Sequence, residues 1–319
     1  VTEVTVSAQA SARAQGAAVE DTLDKAAREN FPVAPGFLPA AWRDDLMAVY
    51  GFARLVDDAG DGDLADPERT ARLLGAATPS EQSDDTTFRL GLLDAIERDL
   101  DRAFEAALPG STAGAPYHPL LRALVPMVRR QAVTPEPFRR LIEANRVDQT
   151  TARYPTFESL IGYCTLSADP VGRLVLALAG VATPDRIESS DRICSALQVI
   201  EHLQDVAEDH ARGRIYLPAE DLERFGVTEE DLGRSTASDN VRELVAFEAA
   251  RARTLLDQGA PLVGTVRGRL RLLLAGFTAG GYAALAAIEA AGYDVLAQQA
   301  KPDKRRLAMK AAAIFAKGR

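Results

Sequence analysis

Two stretches of this chain gather carboxylates at helical spacing. The first reads YGFARLVDDAGDGD over 50–63, and on a helix it sets Tyr50, Arg54, Asp57 and Asp61 at i, i+4, i+7 and i+11 along one face. Asp57 and Asp61 stand one turn apart, where like charges repel unless a cation lies between them. Carboxylate oxygens suit Mg²⁺, which takes one or two protein carboxylates and completes its shell with phosphate oxygens and water. Arg54 on the same face offers a planar fork of donors that fits a phosphate. The second stretch, EHLQDVAEDHARGRIYLP over 201–218, places Glu201, Asp205 and Asp209 at i, i+4 and i+8, with Arg212 and Arg214 just beyond. Upstream of it, Cys194, Ala196, Leu197 and Ile200 give the apolar backing of a buried helix. Acids on such a helix are destabilising unless neutralised.

Each segment alone also has a plainer reading: the first as an acidic helix end entering a glycine turn, the second as a solvated face. An EF-hand loop starting at Asp57 fits only in fragments, with Glu68 at position 12 and Gly62 at position 6 but Ala59 at position 3. Taken together, two acid pairs beside arginines in apolar helix point to a divalent-metal site. Its natural third party is a diphosphate, bridged to the protein through two or three Mg²⁺ ions.

The elements that must position these acids read as helices throughout. Apolar periodicity marks helices near 40–59, 67–77, 84–108, 117–131, 136–151, 156–180, 185–211, 240–275, 277–291 and 302–316, and no alternating strand pattern occurs. Pro39 and Thr156 sit at expected helix starts, while 109–116 and 233–239 read as loose connections. No repeat of 20–50 residues is present. The fold expected is one all-α domain over 21–300, preceded by a small, polar, disordered tail over 1–20 that lacks the pattern of a signal peptide. The uncharged run of 17 residues from Leu272 to Ile288 is rich in alanine and glycine and reads as a buried core helix. The segment 301–319 carries seven basic residues against one acid and reads as a solvated tail. With Leu307, Met309, Ala311, Ile314 and Phe315 on one face, it also reads as a reversible contact for a membrane surface.

Composition bounds the function. The chain has 319 residues, 47% of them hydrophobic and 26% charged, which is enough for a sizeable core without disulfide or structural metal. A net charge of −9 excludes the basic surplus of a nucleic-acid binder. Two cysteines, Cys164 and Cys194, without a CxxC, exclude a disulfide scaffold and a zinc ribbon and fit the reducing cytoplasm. Three histidines leave little for a histidine-rich metal site.

Five collinear pieces resemble the squalene/phytoene synthase family: ENFPVAPGFLP at 29–39, YGFARLVDDAGD at 50–61, GYCTLSADPVGRLV at 162–175, ALQVIEHLQDVAEDHARGRIYLP at 196–218 and YAALAAIEAAGYDVL at 282–296. Within it, the ENFPVA start and the SADPVG run at 167–172 look most like the hydroxysqualene synthases of hopanoid pathways. The resemblance implies a type I isoprenoid-synthase bundle, all-α, around a deep apolar cavity with an Asp-rich helix at each side of its mouth. It maps metal ligation onto Asp57, Asp61, Asp205 and Asp209, with Glu201 where many members have asparagine. Tyr50 and Arg54 match the family's residues before the first motif. Asn30 and Phe31 fall at the cavity entrance, Tyr163 and Tyr282 along its wall, and Arg214 and Tyr216 in an Arg-x-Tyr-Leu-Pro flap next to Arg212.

Ala168 and Gly172, with Gly276, Gly280 and Gly281, either permit close helix packing or leave room for C15 chains. Arg173, in an apolar helix, reads as the partner of an acid. Gln204 stands where many condensing members have arginine. The activity implied is Mg²⁺-dependent ionisation of presqualene diphosphate, then capture of the cation by water, with aromatic faces such as Tyr50, Tyr163 and Tyr282 stabilising the cation. The substrate would come from a separate presqualene diphosphate synthase. The alternatives are head-to-head condensation of two prenyl diphosphates and a non-catalytic lipid carrier on the same fold.

Overall fold

The computed structural model describes residues 34–78, 84–297 and 304–318. Among them every regular element is a helix, and the one extended pairing is an isolated parallel bridge between Arg153 and Ile215. The chain divides into two compact units, one ending at Gln149 and the other beginning at Thr150, so the domain expected over 21–300 is built of two parts. The expected tail over 1–20, together with Asn30 and Phe31, lies outside the described residues.

The first unit holds α1 (Ala40–Asp61), α2 (Pro67–Leu74), α3 (Asp85–Ala107), α4 (Pro119–Arg130) and α5 (Glu136–Val147). α1 packs on α3, α4 and α5. Phe138 of α5 is the centre of its core, edge-on to Phe52 of α1 at 5.1 Å and to Phe104 of α3 at 5.8 Å. Two buried aspartates tie the connections down. Asp99 accepts the backbone N–H groups of Tyr117 and His118, each at 2.8 Å, which anchors the far end of the 109–116 segment. Asp45 is held by Arg130 at 2.6 Å and Gln131 at 3.1 Å.

The second unit holds α6 (Phe157–Ser167), α7 (Asp169–Leu178), α8 (Pro184–Gln204), α9 (Val206–Ala211), α10 (Ala219–Phe225), α11 (Glu229–Leu232), α12 (Asp239–Gly259), α13 (Leu262–Thr265), α14 (Gly268–Ala290) and α15 (Lys304–Lys317). α8 is its axis, packed against α7, α12 and α14. α14 is long and apolar enough to cross a membrane. Most of its apolar face is nevertheless buried among α8, α12 and α15, as the core-helix reading expects. At Gly281 a Cβ would come within 2.9 Å of both Leu197 and Leu256, so glycine at this position lets the three helices close up.

Several expected boundaries move. The single helix over 156–180 breaks at Ala168, because Pro170 has no N–H to donate and its ring crowds the preceding turn. The helix expected over 240–275 ends instead at Gly259, ahead of Pro261. The next long helix starts at Gly268, which adopts φ +62°, and runs unbroken through Gly276. The segment 185–211 is interrupted at Asp205, and the short helices α10, α11 and α13 add to the expected set. The tail expected over 301–319 is a docked helix over 304–317. Ile314 is buried, Arg271 of α14 donates to the Phe315 carbonyl, and Met309 and Phe315 stay exposed.

Glu248 of α12 is almost fully buried beside Asp221, with Arg251 3.1 Å from Glu248 and 2.5 Å from Asp221. Burial pushes the Glu248 carboxyl up to about 8; the Arg251 charge opposes the rise, and Asp221 and Glu220 reinforce it. The folded state therefore keeps a proton that the unfolded chain releases near its ordinary value of 4.5. That contribution to stability is complete below the unfolded pKa and is lost as pH rises through the folded one. Between pH 5 and pH 8 the melting temperature of the parent should fall relative to that of Glu248→Gln. Parallel slopes in thermal denaturation across this range would overturn the assignment.

Candidate active site

The first acid group sits on the last turns of α1. The helix ends where Gly62, at φ +80°, donates its N–H to the Asp58 carbonyl. Asp57 and Asp61 occupy one face as the spacing predicts. The intervening acid is engaged elsewhere, since Asp58 is buried and lies 3.1 Å from the Arg54 guanidinium. Asn145 at the end of α5 reaches Asp57, its Nδ2 donating to Asp57 Oδ1 at 3.1 Å and to the Leu141 carbonyl at 3.2 Å. Four residues on, Gln149 donates to the carbonyls of Gly60 and Asn145, both at 2.9 Å.

Asp57 keeps solvent-facing surface, yet protein crowded around its carboxyl raises its pKa to about 7. Burial is the main cause, the Asn145 hydrogen bond and the Arg54 charge oppose it, and Asp61 and Asp58 add to it. Because that surface still meets water, the shift bears on proton uptake more than on folding stability.

The second acid group spans the α8–α9 junction. The interruption at Asp205 leaves the register intact, since Asp205 N–H bonds the Glu201 carbonyl at 3.0 Å and Asp209 N–H bonds the Asp205 carbonyl at 2.8 Å. The Asp209 carbonyl in turn accepts the N–H of Arg214 at 2.9 Å, which ties the RIYLP segment to the acids. That segment is pinned along 152–155: Ile215 N–H bonds the Ala152 carbonyl at 2.9 Å and Ala219 N–H the Tyr154 carbonyl at 2.8 Å. Tyr216 is buried and stacks on His202 at 3.7 Å, with the planes 11° apart. Tyr154 lies 5.6 Å away and Tyr163 5.8 Å away. His202 Nδ1 is 3.9 Å from Asp209 Oδ2, and Arg214 shares a small recess with His202, Asp209 and Tyr216. Arg212, in contrast, is exposed, 3.2 Å from Glu208.

An apolar cavity of about 230 Å³ opens within the second unit. Ala168, Val171 and Gly172 form one wall and Leu274 and Phe277 another. Along α8 its lining advances through Ser190, Ile193, Cys194, Leu197 and Gln198 to Glu201, the first acid of the second group. Burial pushes the Cys194 thiol up to about 12, so it lines the cavity as a neutral group. Gly172 does two things: it lines the cavity, and it lets α7 press onto α8, since a Cβ there would overlap Ser190 Oγ and come within 2.6 Å of Cys194 Sγ. Arg173 pairs with Asp191 at 2.8 Å and 3.0 Å, as expected of an arginine in an apolar helix.

Of the residues expected around the cavity, Ala168 and Gly172 line it. The hydroxyl of Tyr282 donates to Asp257 at 2.5 Å, and the Lys310 ammonium sits 4.3 Å over its ring. Phe277, one and a half turns earlier, is the aromatic that α14 gives to the cavity.

The structure adds Asn145, Gln149, Asp58, Tyr154 and His202 to the residues that the sequence singles out. Two of them carry a sequence signal: Asn145 and Gln149 are amides at i and i+4, a pairing that marks one helix face. His202 lies between two acids of the second group, where a single histidine signals little by itself.

The donors suit a hard cation. Among the described residues no three histidine, cysteine or acidic side chains converge as a preformed cage. Mg²⁺ requires none, because it is bound by one or two carboxylates with phosphate oxygens and water. Asp57 with Asp61, and Asp205 with Asp209 and Glu201, match that demand in number and in oxygen chemistry.

All-helical architecture, Asp-rich turns at helix ends and an apolar cavity define the type I isoprenoid-synthase class. Residues 24–306 match the squalene/phytoene synthase family, and the chain belongs to it. The chain is 32% identical over 240 residues to the hydroxysqualene synthase of Rhodopseudomonas palustris, covering 75% of this chain and 72% of that one. It is also 32% identical over 247 residues to the phytoene synthase of Arthrospira platensis, covering 72% and 71%. Among solved structures, squalene synthase HpnC from Alicyclobacillus acidocaldarius superposes with a TM-score of 0.69 at 39% identity, covering 88% of this chain and 95% of that one. A dehydrosqualene synthase at 23% identity shares the fold with a TM-score of 0.74, covering 97% of this chain and 98% of that one.

Gly172→Ala should cost about 1–3 kcal/mol by overpacking the α7–α8 contact, read as a lowered urea midpoint at unchanged m-value. An unshifted midpoint would mean that Ser190 and Cys194 yield freely and that the contact is loose.

Proposed function

We propose that this chain is a hydroxysqualene synthase, converting presqualene diphosphate and water into hydroxysqualene and diphosphate. The observation that carries the reading is the course of the cavity lining along α8, from Ser190 through Leu197 to Glu201. A hydrocarbon chain seated there would present its diphosphate head to Glu201, one turn before Asp205. Gln204 supports the half-reaction over a full condensation, because it puts a neutral amide where many condensing relatives carry a cation beside the second acid group.

Mg²⁺ held by Asp57, Asp61, Glu201, Asp205 and Asp209 would supply positive charge to the departing diphosphate. Arg54 and Arg214 add fixed positive charge where negative charge develops. The C–O bond to diphosphate breaks with its electron pair leaving on oxygen, and the cyclopropylcarbinyl cation rearranges. Water then forms the new C–O bond and sheds one proton to the diphosphate. Val171, Leu197, Leu274 and Phe277 keep other water away until that point. Ring faces of Tyr50 and Tyr163 would stabilise the cation.

A second reading, head-to-head condensation of two prenyl diphosphates, is favoured by the phytoene synthases among the relatives at equal identity. The leading reading also places the protein in the cytoplasm, resting on a membrane that holds its product. Exposed Met309 and Phe315 beside Lys310 and Lys317 would form the contact, and a separate synthase would deliver presqualene diphosphate.

Purified protein with Mg²⁺ and no reductant should convert presqualene diphosphate to hydroxysqualene and leave farnesyl diphosphate untouched, with products identified by mass. A C30 product from farnesyl diphosphate would replace this reading with the second. Asp57→Asn and Asp205→Asn should each lower kcat at least a thousandfold, about 4 kcal/mol in the barrier, with helical circular dichroism unchanged. Normal turnover by either would remove that residue from the metal site.

A further inference from the structure

We infer that Asn145 is a positioning residue that fixes the Asp57 carboxylate for metal binding. The inference rests on the reading of Asp57 as a metal ligand, and it assigns to α5 a part in a site the motifs confine to α1.

The geometry leaves Asn145 little freedom. It is buried, and its Nδ2 donates to two acceptors, Asp57 Oδ1 and the Leu141 carbonyl, so the orientation of the amide is set by its partners. Turned the other way, its oxygen would face both a carboxylate and a carbonyl. Opposite it stands Gly60, where a Cβ would overlap Asn145 Oδ1, so the amide fills space that any other residue at 60 would occupy. Gln149 closes the second point of attachment through the carbonyls of Gly60 and Asn145. The end of α5 is thereby fastened to one turn of α1 at two places, and Asp57 Oδ1 is held while Oδ2 is left for a cation.

Outer contacts of this kind orient a ligating carboxylate and typically change metal affinity about 10–100-fold when removed. Asn145 also gives a neutral donor where a lysine would compete with the metal by charge.

The test measures Mn²⁺ binding by the full chain in the presence of inorganic diphosphate, from the loss of the free-ion electron paramagnetic resonance signal. Melting temperature without metal is followed in parallel. Asn145→Ala should weaken Mn²⁺ binding at least tenfold. Gly60→Ala, which displaces the amide while keeping Asn145, should weaken it in the same way and decides the matter if Asn145→Ala fails to fold. Unchanged Mn²⁺ affinity in a folded variant of either kind overturns the inference. Asp57→Asn separates the two levels. If it abolishes binding while Asn145→Ala does not weaken it, the inference alone fails; if it leaves binding intact, the metal reading of Asp57 fails and the inference falls with it.

Discussion

Carboxylates one helical turn apart repel each other, and the repulsion sharpens wherever protein takes the place of water around them. This chain accepts that condition twice, at Asp57 and Asp61 on α1 and at Glu201, Asp205 and Asp209 across the α8–α9 junction. Around the first group the structure supplies some relief. Arg54 lies against Asp58, and the amide of Asn145 gives Asp57 one hydrogen bond. Burial still outweighs both, which is why the Asp57 carboxyl stands near 7.

The fold class, most helices and the two acid groups are legible in the sequence because each rests on short-range rules: 3.6-residue periodicity, caps and like-charge spacing. What is not legible has other sources. Apolar periodicity continues across Pro261, so it merges α12 with the segment before α14 even though the proline itself marks a break. The break at Asp205 has no proline or glycine to announce it. The contacts of Tyr282 with Asp257 and Lys310 join partners distant in sequence, which motif position does not reveal. Asn145 shows its helix-face pairing with Gln149 in the sequence, but its part beside Asp57 is hidden for the same reason. It lies 88 positions from Asp57, and only tertiary packing brings the two together.

Small residues have two uses here, and the structure separates them. Gly281 and Gly259 are places where helices touch: a Cβ at 281 meets Leu197 and Leu256, and one at 259 meets Ile193 and the Ser189 carbonyl. Neither lines the cavity. Ala168 and Gly172 do line it, and Gly172 also sits on the α7–α8 contact. The cavity therefore adjoins a contact that cannot shift without disturbing α8. The helix whose packing sets the width of the cavity also carries Glu201 and leads directly into Asp205. Cavity width and acid placement are in this way coupled through one helix.

The RIYLP segment adds a constraint of a different kind. A mobile cover would need few backbone bonds, yet this segment is bonded along 152–155 and to the Asp209 carbonyl. Its Tyr216 ring is held in a cluster with His202, Tyr154 and Tyr163. These rings pack beside the second acid group, and Arg214 lies in the recess shared with Asp209. The 201–216 stretch thus carries the acids of the second group together with two of the stacked rings, His202 and Tyr216.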